Sequence, residues 1–231
     1  MQSPQGRTVI VGDAHGCAFE VEALLDRIHF GSGDRLVFVG DLVARGPDSL
    51  GVLDIARRTG AVIVRGNHEQ KLLDWYADEA LALGRVHSDL ARALRPVDWT
   101  LLATSPLYLD LPEHGLVVVH AGVEPGVPLD HQQRNTLLTI RTVKGAHGPR
   151  LWGELYAGPP HVVFGHNALP GLQLHPWATG LDTGCVYGGR LTAMVLDANE
   201  KVPRSSFRRQ QKLVFQAARR VYFDTRKRRV A

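Results

Sequence analysis

Thr8-Val9-Ile10-Val11-Gly12-Asp13-Ala14-His15-Gly16 joins a short apolar run directly to a polar loop that carries an aspartate, a histidine and two glycines. An apolar run of this length, cut off by such a loop, reads as a buried strand with its carboxyl end at the loop. The pattern recurs in Leu36-Val37-Phe38-Val39 before Gly40-Asp41, and in Ala61-Val62-Ile63-Val64 before Arg65-Gly66-Asn67-His68. Helical periodicity follows each loop, over residues 19–28, 50–58 and 69–76. Strand, loop and helix repeated three times predict an α/β fold with parallel strands and functional loops at their carboxyl ends.

Residues 77–104 are rich in Ala, Leu and Arg and predict one or two helices inserted into that alternation. Strand-like runs dominate afterwards, at 107–111, 116–119, 162–164, 173–175, 179–181 and 191–196. An alternating half followed by a strand-rich half predicts two packed sheets, mixed in direction, flanked by helices. Residues 130–143 look helical at first and then give way to a loop through 144–149, and Lys212 to Gln216 reads as a last strand.

The chain has 231 residues, of which 44% are hydrophobic and 22% charged, within the range of one globular domain. The start, Met1 to Arg7, lacks a basic-then-apolar signal pattern, and no apolar run approaches the roughly 18 residues that a membrane span needs. A cytoplasmic protein without a membrane partner is expected. Two cysteines, Cys17 and Cys185, are too few for a disulfide framework and suit a reducing compartment. The net charge of +4 hides an asymmetry. Residues 201–231 hold 11 of the 27 basic residues and one acidic residue, Asp224, which makes that tail +10 and leaves residues 1–200 at −6. The expected organisation is a catalytic domain over 1–200 and a basic extension over 201–231. The extension either contacts a polyanion or folds onto the acidic body.

Five strand ends deliver the polar groups: Asp13 and His15, then Asp41, then Asn67 and His68, then His120 in Val-Val-Val-His-Ala-Gly, then His166 in Phe-Gly-His-Asn. A lone aspartate at a strand end is ordinarily a turn or N-cap residue, and a lone histidine is ordinarily a hydrogen-bonded bystander. Five motifs in order, each after an apolar strand and each flanked by glycine, carry more weight than any one of them. Carboxylate, imidazole and amide donors together suit Mn, Fe or Zn better than Ca or Mg, and the two oxygens of Asp41 can bridge two metals about 3.5–4 Å apart. His29, His87, His114, His131, His147, His161 and His175 fall in no such pattern and receive no role.

With these motifs in hand, the chain resembles the calcineurin-like metallophosphoesterases, and within them the phosphoprotein phosphatase branch. The resemblance runs from about Thr8 to Leu196, on Gly12-Asp13-Ala14-His15-Gly16, Gly40-Asp41-Leu42-Val43-Ala44-Arg45-Gly46 and Arg65-Gly66-Asn67-His68-Glu69. The nearest members are the ApaH-type symmetrical dinucleoside tetraphosphatases and the ApaH-like phosphatases, whose strings are similar to Gly40-to-Pro47 and to Leu181-to-Ala193 here. The resemblance implies a metallophosphoesterase-type sandwich of two mixed sheets. It also implies a first metal on Asp13, His15 and Asp41, and a second on Asp41, Asn67, His120 and His166. It gives His68 the role of general acid and Arg45 that of a phosphate-gripping arginine, with Arg141 the candidate for a second; Asn67 would also face substrate. Where protein phosphatases carry an aspartate beside the gripping arginine, this chain has Ala44, so the carboxylate that orients the acid histidine comes from elsewhere or is absent. The full Arg-Gly-Asn-His-Glu, conversely, matches the protein-phosphatase form.

The implied activity is phosphoester or phosphoanhydride hydrolysis by a metal-activated water. The two divalent ions are expected to be Mn, with Fe, Zn, Co or Ni meeting the same donors. Phosphomonoesters, phosphoproteins, diadenosine tetraphosphate and polyphosphate are candidate substrates. The alternative from another class is a catalytically weak module that binds RNA or another polyanion through the basic tail. The intact ligand set speaks against that alternative.

Overall fold

The computed structural model describes residues 6–146, 148–169 and 171–225. The predicted alternation is present as β1 (Thr8–Val11), α1 (Ala18–Arg27), β2 (Arg35–Phe38), α2 (Ser49–Thr59), β3 (Val62–Ile63) and α3 (Asn67–Ala77), with β1, β2 and β3 parallel neighbours. Residues 77–104 supply two further helices, α4 (Arg85–Ala93) and α5 (Pro96–Ala103). The strand-rich half follows as β4 (Tyr108–Leu111), β5 (Leu116–Val119), α6 (Arg134–Thr139), β6 (Thr142–Gly145), β7 (Gly148–Leu151), α7 (Trp152–Leu155), β8 (His161–Phe164), β9 (Gln173–Leu174), β10 (Ala178–Gly180), β11 (Asp182–Thr183) and β12 (Arg190–Leu196). The chain ends in α8 (Ser206–Gln210) and β13 (Leu213–Ala217).

One sheet runs β11-β12-β1-β2-β3, with β13 on the free edge of β12; the other runs β4-β5-β8-β10-β9. Each mixes parallel and antiparallel pairs, and side-chain alternation sorts their strands between layers. Ile10, Val37 and Val39 meet Val118 and Val163 between the sheets, whereas Val9, Val11 and Phe38 turn outward against Leu24 of α1 and Leu53 of α2. The second sheet's outer face packs Val117, Val119 and Phe164 against Leu137 and Trp152. Strands buried on both faces at 0–1% exposure explain why the runs contain no polar alternation. Each such side chain contributes about 1.5–3 kcal/mol of apolar burial.

Two boundaries differ from the sequence reading. Helix α3 begins at Asn67 rather than Glu69, so Asn67 and His68 sit in its first turn. The loop expected over 144–149 is instead the hairpin β6–β7, with Lys144 opposite Pro149 and Gly145 opposite Gly148. Both of its strands are largely exposed, so neither presents an apolar face that would give a period-two signal. His147 lies outside the described residues.

Lys212 to Gln216, expected as a strand, falls in β13, which pairs antiparallel with β12. Beyond it the chain returns along the body. Ala218 N–H bonds Gly189 O, Arg219 N–H and Tyr222 O–H both donate to the buried Glu20 carboxylate, and Tyr222 and Phe223 N–H share Val186 O. The described part of the basic extension is thus docked on the body. Met1 to Gln5 and the basic end from Arg226 to Ala231 lie outside the described residues. Among the described residues no helix is long and apolar enough to cross a membrane.

Candidate active site

The loops after β1, β2 and β3 meet those after β5 and β8 at one edge of the sandwich, and their backbones approach closely. A Cβ on Gly165 would lie 2.0 Å from Asp13 Oδ1, and one on Gly66 would lie 2.3 Å from Asp41 Oδ1, so only glycine fits at either place. Among the described residues seven non-glycine residues have positive φ, and five of them belong to this region: His15, Asp41, Ala44, Arg45 and His166. Left-handed backbone costs roughly 1–3 kcal/mol per residue and persists where surrounding contacts over-determine it, which is common at functional sites.

Asp41 is the centre of the arrangement. It is 2% exposed, and its Oδ1 accepts the backbone N–H of His68 at 3.0 Å. His15 and His120 approach it from two sides. Each ring places Nδ1 on a main-chain carbonyl, His15 on Val43 O at 3.1 Å and His120 on Val39 O at 3.0 Å. A carbonyl can only accept, so both Nδ1 atoms carry hydrogen, and in the neutral ring both Nε2 atoms are bare. Burial above all lowers the pKa of each ring to about 3, which keeps both neutral at physiological pH. The bare Nε2 of His15 lies 3.5 Å from Asp41 Oδ2, and that of His120 lies 3.4 Å from Asp41 Oδ1 and 3.0 Å from Asn67 Oδ1.

Acceptors therefore face acceptors on both sides of one carboxylate. Ligand atoms of His15, Asp41 and His68 lie within 4.8 Å of one another, as do those of Asp41, His120 and His166. His166 adds Nδ1 at 2.8 Å from Asn67 Oδ1, and its main-chain N–H is shared by both oxygens of Asp13 at 3.1 and 3.0 Å. Burial pushes the Asp41 carboxyl up to about 7 and Asp182 up to about 6. It raises Asp13 well above the carboxylate range, with Asp182 and Asp41 adding to the effect. A desolvated Asp41 carboxyl facing bare imidazole nitrogens fits divalent metal binding, which would restore the ionised carboxylate and accept the lone pairs.

The two arginines stand over this set. Arg45 Nη1 reaches the bare Nε2 of His15 at 2.6 Å, and the exposed Arg141 donates from Nε to His166 Nε2 at 3.3 Å. Both line a cleft of about 510 Å³ together with His166, Asp182, Tyr187 and Phe223. Arg45 also lies over the Tyr187 ring, 5.7 Å from its centroid. The structure thus brings all nine residues singled out from the sequence to one place: Asp13, His15, Asp41, Arg45, Asn67, His68, His120, Arg141 and His166.

Three neighbours were missed. Glu69, fully buried, accepts Asp41 N–H at 2.8 Å, Leu42 N–H at 2.9 Å, Val43 N–H at 3.3 Å and Gly66 N–H at 2.9 Å, and so ties the Asp41 loop to the start of α3. Its position as the fourth letter of Gly-Asn-His-Glu was the available signal. Asp182, the first residue of β11, accepts Gly184 N–H and lines the cleft. His87, given no role on sequence, places Nε2 at 2.9 Å from His68 Nδ1; nothing in a helical stretch of mixed residues marks such a contact in advance.

Residues 6–204 match the family model described as calcineurin-like phosphoesterase. The chain is 31% identical over 216 residues to a bis(5'-nucleosyl)-tetraphosphatase PrpE, called asymmetrical, from Geobacillus thermodenitrificans, covering 80% of this chain and 88% of the relative. A crystal structure provisionally named a diadenosine tetraphosphatase superposes with a TM-score of 0.80 at 35% identity, over 94% of this chain and 96% of that one. A metallophosphoesterase from Sphaerobacter thermophilus shares the fold, with a TM-score of 0.62 at 16% identity over 93% and 88% of the two chains. The sequence strings pointed to symmetrical tetraphosphatases, whereas the name of the PrpE relative specifies asymmetrical. On its motifs, its sandwich and these matches, the chain belongs to the calcineurin-like phosphoesterase family and is a hydrolase.

Proposed function

We propose that the protein hydrolyses dinucleoside tetraphosphates with the help of a pair of divalent cations that Asp41 and its neighbours would hold. The observation that carries the reading is the opposition of each Asp41 oxygen to a bare imidazole nitrogen, His15 on one side and His120 on the other, beneath a cleft edged by Arg45 and Arg141. Asp13, His15 and Asp41 would hold one cation, and Asp41, Asn67, His120 and His166 the other. Mn is the proposed metal, and Fe, Zn, Co or Ni meets the same donors. When bound, the pair supplies an activated water and neutralises charge on phosphate oxygens.

The chain's own groups do the rest. Arg45 and Arg141 grip non-bridging phosphate oxygens and counter the charge gathered in the transition state. His68, whose Nε2 lies 3.9 Å from Asp41 Oδ2, donates a proton to the departing oxygen. Burial holds the proton affinity of His68 well below its ordinary value, with His15 and Arg45 adding to the effect. A phosphate held by Arg45 offsets the arginine's share. A nucleotide phosphate is a good leaving group, so His68 matters less for an anhydride than for an alkyl phosphate.

The names of the relatives favour the dinucleotide substrate. The cleft is also larger than a phosphate needs, and its Tyr187 and Phe223 rings, with centroids 6.3 Å apart, offer aromatic surface to a base. We take residues 1–200 as the catalytic domain and 201–231 as an extension, whose Val221, Phe223, Asp224 and Thr225 line the cleft. A cytoplasmic setting suits two buried, unpaired thiols.

The test is turnover of diadenosine tetraphosphate by Mn-loaded protein, with phosphomonoesters, phosphopeptides and polyphosphate alongside. Water attack on an end phosphorus yields ATP and AMP, and attack nearer the middle yields two ADP. Chelated protein should be inactive. Full activity with no metal detected, or turnover of the other substrates without the dinucleotide, would refute the proposal.

A further inference from the structure

Helix α4, from the inserted segment, buries only two side chains, and one of them is a histidine. Ala91 is 7% exposed and His87 is 8% exposed. A short surface helix ordinarily gives such positions to apolar residues, and a buried imidazole requires partners. His87 Nε2 lies 2.9 Å from His68 Nδ1, and the two rings stack at 20° with centroids 4.8 Å apart. The other nitrogen of His68, Nε2, points toward Asp41, and the ring edge meets His15 at 4.9 Å between centroids. The two nitrogens of His68 are thereby divided, one committed to α4 and the other to the cleft. Ala44, where the resembling protein phosphatases carry the aspartate that orients this histidine, has no side-chain atom able to do so.

We propose that His87 is the positioning residue for His68: its Nε2 accepts the Nδ1–H of His68 and so fixes the ring tautomer and orientation that turn His68 Nε2 toward the leaving group. The ring that donates carries hydrogen on both nitrogens; Nε2 passes its proton to the departing oxygen, and the spent ring is neutral with Nδ1–H still held by His87. A neutral imidazole from the helical insertion does here what a carboxylate does beside the gripping arginine in those enzymes. Lys71, Arg45 and Tyr187 join the two histidines around a cavity of about 310 Å³, so both rings border open space. The inference rests on His68 being the general acid.

The experiment compares His87→Ala, His87→Gln, His68→Asn and the His68→Asn/His87→Ala double variant, full-length and Mn-loaded, on an alkyl phosphate and on p-nitrophenyl phosphate. General acid catalysis is worth roughly 10²–10⁴-fold. His87→Ala should therefore lower kcat on the alkyl phosphate at least about tenfold, a part of that factor, with KM nearly unchanged and p-nitrophenyl phosphate much less affected. His87→Gln, whose amide oxygen can accept the same N–H, should recover part of the loss. The double variant should be no slower than His68→Asn alone, because His87 acts through His68. Equal losses on both substrates in His87→Ala, or additive losses in the double variant, would overturn the positioning role while leaving the acid intact. Equal losses in His68→Asn would remove the acid and this inference together. Should His87→Ala fail to fold, imidazole ¹⁵N NMR of the parent decides: a protonated Nδ1 on neutral His68 supports the proposal, and a protonated Nε2 with bare Nδ1 overturns it.

Discussion

Removing the Glu69 carboxylate should loosen the Asp41 loop and destabilise the whole domain. Its two oxygens accept four buried main-chain N–H groups, on Asp41 and Gly66 through Oε2 and on Leu42 and Val43 through Oε1. A buried donor left without an acceptor costs about 1–3 kcal/mol, and at the lower figure, as water enters the space, Glu69→Ala loses about 4 kcal/mol. For a domain of this size each kcal/mol moves Tm by about 2–4 °C, so the variant should melt about 8–16 °C lower. Glu69→Gln keeps one oxygen and turns an amide N–H₂ toward two of the donors, which halves the loss to about 2 kcal/mol. One effect runs the other way. Burial above all, and Asp41 beside it, raise the Glu69 pKa while the main-chain N–H groups lower it, and removing the side chain relieves the burial cost and the repulsion. The relief makes these figures upper values. The assay is thermal melting in chelator, which removes any metal contribution, together with kcat after reloading with Mn. Should Glu69→Ala melt within about 2 °C of the parent and turn over normally, the cradle would not be what holds Asp41 in place.

Two further outcomes are expected. His161 is 2% exposed, holds Thr179 Oγ1 at 2.9 Å, and has its pKa lowered to about 3, chiefly by burial. The unfolded chain takes up that proton near 6.5 and the folded one does not until about 3, so stability present above pH 6.5 is lost as pH falls toward 3. His161→Gln should flatten the slope between pH 6 and 4 by up to about 1.4 kcal/mol per unit in urea titrations, and equal slopes would contradict it. Ending the chain after Ala217 removes Tyr222 and Phe223. That should raise KM for diadenosine tetraphosphate while p-nitrophenyl phosphate turnover persists, and a matched change on both substrates would deny the segment a role in binding the nucleoside.

The legible parts of the molecule are those whose physics is local. Val9, Val37 and Ile63 announce buried strands because each lies in an apolar run stopped by glycine and a polar residue, and the site residues inherit their places from those strand ends. Arg141 was placed from a short string and does reach His166. The hairpin β6–β7 was illegible because it is largely exposed and puts only Val143 against the core, too little apolar surface for a period-two signal. His87 and Glu69 were illegible for a different reason. Their partners, His68 Nδ1 and the N–H groups of the Asp41 loop, are supplied by tertiary approach across 19 and 26 to 28 positions of chain. A spacing rule cannot encode such an approach.

The return of the chain past β13 also bears on when the enzyme becomes active during its synthesis. Residues 6–204 hold every metal-binding candidate, yet the edge of β12 is paired only when residues 213–217 arrive, and Phe223 and Thr225 reach the cleft later still. A ribosome adds about 5–20 residues per second, and amino-terminal segments fold first. For a second or more, therefore, the nascent chain carries a nearly finished catalytic centre beside an open strand edge, the kind of surface on which neighbouring chains pair. Closure of that edge comes first, and the cleft wall is completed after it. One stretch of chain thus both covers a strand edge and lines the cleft.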